Sequence, residues 1–318
     1  MRACVLWWSG LMEVSPSAIS AVDIGDGEWH LERGQVDAAL AALCDRHLAS
    51  VTPAVAHAIR YSMLGGGKRL RPLLLLAAYH ATGGAADAST LAAAVEVVHA
   101  YSLVHDDLPC MDDDDVRRGR PTTHRVYGAA VATAAGVAMV PLAVRCAIDG
   151  ATALGLPASA RGAIVRELMR ASGAGGMVGG QLLDLFGEGR ALSLSELEHI
   201  HRAKTGALIE ACVRIGGIAA GADGRAAVAL SGYGAAVGLA FQIADDVLDA
   251  TATTDQLGKT AGRDAVLGKS TYPAHLGIDG AVERANALAE QACSVLRQAG
   301  ILTPALHHLA RYCVARRS

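Results

Sequence analysis

The sequence has few aromatic residues, little net charge and no paired cysteines. Aromatic residues make up 4 % of the chain, and its formal net charge is −3. A balance so near neutrality gives no reason to expect a nucleic acid or an anionic membrane surface as a partner. The seven cysteines are scattered without a CxxC pair, so neither a zinc site nor a disulfide framework is predicted. We expect free thiols in a reducing cytosol, and therefore a cytoplasmic protein.

Alternating β-branched patterns are also rare, so strands are not expected and the predicted fold class is all-α. Apolar residues recur at spacings of three and four, as in amphipathic helices. The segments with this pattern are 35–47, 54–63, 72–79, 91–107, 126–148, 160–172, 194–220, 226–249, 280–298 and 304–316. We predict one helical domain over residues 34–318, preceded by an extension over residues 1–33 that we expect to be disordered.

One uncharged stretch, Val126–Val144, is nearly long enough to span a membrane. It consists mostly of Ala, Gly, Val and Thr, it contains Pro141, and Leu142 is its only strongly inserting residue. We therefore expect a buried helix of the bundle and no membrane span.

Two aspartate clusters, Asp106–Asp112 and Asp245–Asp249, each follow a long apolar helical pattern. Carboxylates in such surroundings are costly unless a cation neutralises them. Mg²⁺ binds one or two carboxylates and completes its coordination with water and substrate phosphate oxygens. The pair of clusters therefore suggests a diphosphate site bridged by magnesium.

Local spacing indicates how each cluster is arranged. Asp245 and Asp249 are four residues apart and share a helix face, with Gln242 on the same side. In the first cluster, Pro109 disfavours helix at the preceding residue, so the chain should loop and return Asp112 towards Asp106. His99 lies two turns before Asp106 on the same face. Asp113, Asp114 and Asp115 are expected to face solvent.

Cations that could receive a diphosphate surround these clusters in the sequence. The turn Gly65–Gly67 leads through Lys68 and Arg69 to Arg71 at a predicted helix start, where N–H groups and basic side chains suit an anion. This turn is not a Walker A loop, because GxxxxGK[ST] is missing. Further cations are Arg117, Arg118, Arg120, Lys204, Lys259, Arg263 and Lys269.

These blocks together resemble the trans-isoprenyl diphosphate synthases of the polyprenyl synthetase family. The matching segments are GGGKRLRP (65–72), HAYSLVHDDLPCMDDDDVRRGRPTTH (99–124), GMVGGQLLDL (176–185), KTGALIEA (204–211), FQIADDVLD (241–249) and GKTAGRDAVLGKSTYP (258–273). The resemblance implies a helical bundle of the isoprenoid synthase type with a central cavity, and a homodimer. It also implies condensation of isopentenyl diphosphate with an allylic diphosphate, assisted by three Mg²⁺ ions.

The resemblance assigns roles to matching positions. The residues expected to hold the metal are Asp106, Asp112, Asp245 and Asp249, supported by Asp107 and Asp246. Those expected on the allylic diphosphate are Arg117, Lys204, Thr205, Gln242, Lys259 and Lys269. Those expected on isopentenyl diphosphate are Lys68, Arg71, His99 and Arg118.

Product length and one departure from the family pattern complete the expectations. Tyr101 precedes Asp106 by about 7.5 Å of helix, with the small Ser102 beside it, and in similar bacterial enzymes such an aromatic accompanies a C15 product. We therefore expect farnesyl diphosphate, with geranylgeranyl diphosphate as the alternative. Val137 replaces an acidic residue that faces the cavity in relatives, which keeps a class I terpene cyclase open. A non-catalytic subunit is disfavoured because both aspartate clusters are present.

Overall fold

The computed structural model describes residues 29–251 and 268–315. Its α-helices, in chain order, are α1 His30–His47, α2 Pro53–Met63, α3 Leu70–Ala81, α4 Ser89–Asp106, α5 Thr123–Tyr127, α6 Ala129–Ala153, α7 Ala158–Ser172, α8 Met177–Gly187, α9 Leu194–His201, α10 Ala207–Ala220, α11 Gly224–Thr251, α12 Tyr272–Ala299 and α13 Pro304–Ala315. The all-α prediction is confirmed.

Within the described residues, the only sheet is a two-residue antiparallel hairpin. Strand β1 (Val116–Arg117) pairs with β2 (Arg120–Pro121). Arg118 and Gly119 have φ values of 54° and 70°, which is the backbone geometry of a tight hairpin turn. The hairpin was not expected from the sequence, and it orients two of the predicted diphosphate-binding arginines.

Helix α4 lies in the middle of the bundle. Leu91–Val98 is buried on every side, and α4 packs against α6, α3 and α1. A Cβ on Gly150 of α6 would come within 2.7 Å of the Leu91 Cα, so this glycine allows the two helices to approach closely. Helix α11 packs along α12 and α10 on the other side of the bundle.

Two helices, α6 and α11, are long and apolar enough to cross a membrane by length and composition. Both pack within the bundle. Of the 18-residue apolar stretch in each helix, 44 % is buried in α6 and 61 % in α11. Core helices of a bundle share this composition, and α6 contacts α2, α4, α5 and α7, as predicted for the uncharged stretch.

Some helix ends and one whole helix differ from the sequence prediction. Helix α1 begins at His30, five residues earlier than expected, because Trp29 is buried against the core with its ring 6.5 Å from that of His308. Residues 1–28 of the expected extension lie outside the described residues. Helix α8 is missing from the predicted segments, because the glycines at its start favour a break.

The capping box of α9 is also placed differently. In the sequence, Ser195 and Glu198 have the spacing of a capping box, but the structure forms the box two residues earlier. The Ser193 side chain accepts from the backbone N–H of Glu196, and the Glu196 side chain accepts from the backbone N–H of Ser193. Glu198 instead accepts a hydrogen bond from the hydroxyl of Tyr272 at 2.6 Å.

Helices α9 and α10 form one continuous element interrupted by a π-helical turn, Arg202–Gly206. Single π turns inside α-helices are rare and are often found at functional sites. A Cβ on Gly238 of α11 would lie 2.7 Å from the Gly206 Cα, and one on Gly180 of α8 would collide with the backbone nitrogen of Lys204. The π turn is therefore packed tightly between Gly238 of α11 and Gly180 of α8.

Candidate active site

Both aspartate clusters line one cavity of about 900 Å³ between α4, α8 and α11. Asp106 ends α4 and Asp112 lies in the loop after it, whereas Asp245 and Asp249 lie on α11. The other predicted site residues that line this cavity are Lys68, Arg71, His99, Tyr101, Ser102, Arg117, Arg118, Lys204, Thr205, Gln242, Asp246 and Lys269. Asp107 borders an adjoining small pocket, and Lys259 lies outside the described residues.

The first cluster folds as its proline suggests. Helix α4 ends at Asp106, and after the turn the backbone N–H of Asp112 donates to the Asp106 carbonyl at 2.9 Å. Burial raises the pKa of Asp106 to about 6, with the neighbouring Asp112 adding to the effect of burial. The carboxylate is thus costly to ionise in the metal-free protein, which is the situation that a bound cation relieves.

Arg117 joins the two ends of this loop. Its Nε donates to Asp107 at 2.7 Å and its guanidinium donates to Asp114 at 3.2 Å. The prediction that Asp114 faces solvent is wrong, since it is 8 % exposed and shares this arginine. Asp113 and Asp115 are exposed as expected.

In the second cluster, Asp246 is held by groups of the protein itself. Gln242 Nε2 and the backbone N–H of Tyr272 donate to it at 3.2 and 3.0 Å. His201 Nε2 lies 3.1 Å from Oδ2, the same oxygen that accepts from Tyr272, whereas Gln242 donates to Oδ1. Asp246 therefore ties the end of α11 to the start of α12 and to α9, which agrees with a supporting position.

The π turn presents Lys204 and Thr205 to the cavity. Thr205 donates its hydroxyl proton to Gln242 Oε1 at 2.7 Å. Lys204 Nζ donates to Asp184 at 2.6 Å, and Lys269 Nζ donates to the same carboxylate oxygen at 2.9 Å. Two cations that are far apart in sequence are thereby brought together.

Asp184 on α8 was not identified from the sequence. Although burial opposes its ionisation, Lys204 and Lys269 lower the pKa of Asp184 to about 2. For Lys204, burial favours the neutral amine, but Asp184 and Asp106 outweigh it and raise its pKa. The sequence signal that could have identified Asp184 is a single carboxylate in the apolar segment QLLDLF. A buried carboxylate is costly unless a cation pairs with it, and this argument holds for Asp184 as it does for the two clusters.

The residues expected on isopentenyl diphosphate surround the glycine turn. Gly66 and Gly67 have positive φ values of 83° and 145°, which only glycine adopts without strain. Arg118 lies 3.4 Å from His99 Nε2. Burial, reinforced by Arg71 and Arg118, holds the pKa of His99 well below its usual value, so the imidazole is neutral.

Arg69 of this turn serves a different purpose from its neighbours. It donates to Glu96 and to Asp37 at 2.7 Å each, and to the Met63 carbonyl at 3.1 Å. Its side chain is 2 % exposed. Through its bond to Glu96, this buried arginine holds the glycine turn against the middle of α4. The same turn carries Lys68.

The carboxylates present suit a hard divalent cation that is shared with a substrate. Asp112 Oδ1 is buried and accepts no hydrogen bond from the described part of the chain, and its nearest recorded cation is Lys269 Nζ at 3.9 Å. In residues 29–251 and 268–315, no three His, Cys, Asp or Glu side chains already form a complete ligand set. Mg²⁺ needs few protein ligands when phosphate oxygens supply the others, so the two clusters fit magnesium.

The structure places Val137 differently from the expectation derived from the family. Its side chain is 59 % exposed on α6, and it does not belong to the lining of the cavity. Its neighbour Gly136 faces inwards, where a Cβ would collide with the ring of His105. An acidic residue at position 137 would therefore lie outside the cavity of this subunit.

Tyr101 and Ser102 line the cavity on α4, close before Asp106. The Tyr101 ring packs edge to face on His105 with centroids 4.9 Å apart, and both line the cavity. Ser102 donates its hydroxyl proton to the His99 carbonyl at 2.8 Å.

An all-α bundle in which two carboxylate clusters and several cations line one cavity is the arrangement expected of a synthase that acts on prenyl diphosphates. The polyprenyl synthetase model matches residues 52–299, and the chain belongs to that family. The chain is 48 % identical over 272 residues to the farnesyl diphosphate synthase of Escherichia coli strain K12, covering 83 % of this chain and 90 % of the relative.

Solved structures give the same result. An apo FPP/GFPP synthase from Zymomonas mobilis has a TM-score of 0.77 at 34 % identity, covering 90 % of this chain and 98 % of that one. A geranyltransferase from Helicobacter pylori, complexed with magnesium and isoprenyl diphosphate, has a TM-score of 0.75 at 30 % identity and covers 90 % and 96 %. The chain is an enzyme of the trans-prenyltransferase class, which condenses isopentenyl diphosphate with an allylic diphosphate.

Proposed function

We propose that the protein is a magnesium-dependent, cytoplasmic farnesyl diphosphate synthase. The observation that carries the proposal is the shared cavity, in which both aspartate clusters, the basic residues and Tyr101 meet. The sequence identity of 48 % to a farnesyl diphosphate synthase also supports it.

In this proposal, Asp106, Asp112, Asp245 and Asp249 hold Mg²⁺, for which we expect three ions as in the family. When bound, the metal supplies Lewis-acid stabilisation of the departing diphosphate. Lys204, Lys269 and Arg117 add positive charge around the same diphosphate, with Thr205 and Gln242 beside them. Lys259 is assigned to this group by its motif alone.

Isopentenyl diphosphate occupies the other side, bound by Lys68, Arg71, His99 and Arg118. This arrangement places its alkene near the allylic carbon, so that the new carbon–carbon bond forms as the allylic cation develops. The condensed cation then passes a proton to an oxygen of the departed diphosphate, which leaves the alkene of the product. The apolar walls near Tyr101 exclude water, which would otherwise capture the cation.

We also propose that the enzyme acts as a homodimer. Exposed apolar side chains on α6 and α8 support this, since Val137, Leu182 and Phe186 are 59 %, 50 % and 64 % exposed. Sedimentation of the purified protein at several concentrations tests the proposal, and a monomer at all concentrations contradicts it.

Turnover of geranyl diphosphate with Mg²⁺, with and without isopentenyl diphosphate, tests the reaction. We expect farnesyl diphosphate only when both substrates are present. A hydrocarbon formed without isopentenyl diphosphate identifies a terpene cyclase, and a C20 product identifies a geranylgeranyl diphosphate synthase.

The role of Tyr101 in product length has a matched control. Tyr101→Ala should lengthen the product, because it removes a ring that lines the cavity close before Asp106. Tyr61→Ala removes a similarly half-buried ring on α2, where Tyr61 donates to the Pro121 carbonyl, and should leave the product at C15. If Tyr101→Ala leaves product length unchanged, the cavity ends elsewhere.

A further inference from the structure

The side chain of Gln181 on α8 is buried and lines the cavity, with 4 % of the residue exposed. Neither its Oε1 nor its Nε2 forms a hydrogen bond with the described part of the chain. Gln242 provides the contrast, because its Oε1 accepts from Thr205 and its Nε2 donates to Asp246. Burying an amide without partners costs free energy, and such exceptions need an explanation.

Along α8, Gln181 lies between an apolar and a charged residue of the cavity lining. Asp184, which gathers Lys204 and Lys269, lies three residues later, and the apolar Met177 lies one turn earlier. Three residues of helix correspond to about 4.5 Å. Gln181 thus lies at the depth where the charged diphosphate of a prenyl substrate would join its apolar chain.

Helix α8 cannot easily withdraw this amide from the cavity. The preceding residue, Gly180, packs directly on the backbone of Lys204 in the π turn, without room for a Cβ. The helix is therefore held against the element that carries the central lysine of the site, and the carboxamide of Gln181 is held at a fixed depth. Fixed dipoles are effective because they do not have to reorient when charge develops.

We propose that Gln181 is a catalytic residue that contacts the allylic substrate at its reacting carbon. Its Nε2 donates a hydrogen bond to an oxygen of the departing diphosphate, and its Oε1 faces the developing positive charge. The C1–O bond breaks with its electron pair moving to the diphosphate, and the amide neither gains nor loses a proton. This inference rests on the proposed prenyl transfer.

Gln181→Met tests the proposal because methionine keeps the length of the side chain and removes both polar groups. We expect kcat with geranyl diphosphate to fall at least about tenfold, as when one preorganised donor is lost, while KM for isopentenyl diphosphate stays within about twofold. The melting temperature of the ligand-free protein should rise, by about 2 °C or more, because an unpartnered buried amide has been removed.

The matched control is Gln242→Met, in which a fully paired amide is removed and the melting temperature should fall. If Gln181→Met keeps the wild-type kcat, Gln181 only lines the cavity and the proposal is overturned. If its melting temperature falls together with kcat, the amide is structural and the proposal is also overturned. Wild-type protein that forms no product from both substrates would refute the prenyl transfer itself, which separates the two failures.

Discussion

The buried ion pair between Arg69 and Glu96 makes a prediction that links stability to the binding of one substrate. The two side chains are 2 % and 3 % exposed, and Arg69 NH1 lies 2.7 Å from Glu96 Oε1. Glu96→Gln keeps the shape of the side chain and removes its charge. Asp37, the other carboxylate on Arg69, is 54 % exposed and cannot replace it.

The size of the effect follows from burial. Removing one charge of a buried pair costs about 3–5 kcal/mol, since it leaves the other charge uncompensated. Glutamine can still accept a hydrogen bond, so we expect the lower end, about 3 kcal/mol. At about 2 °C per kcal/mol for a large domain, the melting temperature should fall by about 6 °C. Asp37→Asn is the control and should cost less than about 1 kcal/mol, as for exposed pairs.

The same change should weaken the binding of isopentenyl diphosphate selectively. Arg69 has a left-handed backbone with φ 53° and lies between Lys68 and Arg71, while Glu96 precedes His99 by one turn of α4. Without the ion pair, the turn that carries Lys68 and Arg71 should be less well ordered. If this weakens the binding of isopentenyl diphosphate by about 1.4 kcal/mol, its KM rises tenfold. KM for geranyl diphosphate should remain near its wild-type value.

Urea unfolding and steady-state kinetics, with each substrate varied in turn, measure both effects. If Glu96→Gln unfolds at the same urea concentration as Asp37→Asn, the buried pair is not an anchor. An equal rise in both KM values would mean that the change disturbs the whole cavity rather than the turn.

Three further predictions concern the carboxylates and α6. Asp184→Asn should lower kcat/KM for geranyl diphosphate about 10–100-fold, because Lys204 and Lys269 lose the carboxylate that holds them together, and unchanged kinetics would contradict this role. Because burial raises the pKa of Asp106 to about 6, the metal-free protein loses stability as pH rises through that value. Mg²⁺ with inorganic diphosphate should therefore raise the melting temperature more at about pH 7.5 than at about pH 5.5, where binding must displace a proton; an equal rise at both would count against it. Val137→Asp should keep turnover within about twofold of wild type, because Val137 does not line the cavity; a larger fall in a variant that keeps the oligomeric state of the wild type would place this residue at the site.

Periodicity predicted most helices well because their apolar residues face a core at regular spacing. It failed at α8, where Gly176, Gly179 and Gly180 suggest a break. There the helix is stabilised by close packing, since Gly180 lies directly on the π turn. Low helix propensity was outweighed by a tertiary contact that the sequence does not display.

The candidate site was predictable where local spacing determines geometry. Asp245 and Asp249 share a face because they are one helical turn apart, and Asp112 returns to Asp106 because Pro109 ends the helix. Asp184 could not be assigned in the same way. Its position depends on Lys204 and Lys269, which are 20 and 85 residues away.

The cation pair at Asp184 also explains how the site can be ordered before a substrate arrives. Two lysines facing a metal-free cavity would repel each other, and Asp184 offsets that repulsion while keeping both side chains in place. An ammonium group has three N–H donors, so the bond from Lys204 to Asp184 leaves donors that can turn to a diphosphate. The substrate can therefore add to this arrangement without breaking it, which reduces the ordering that binding requires.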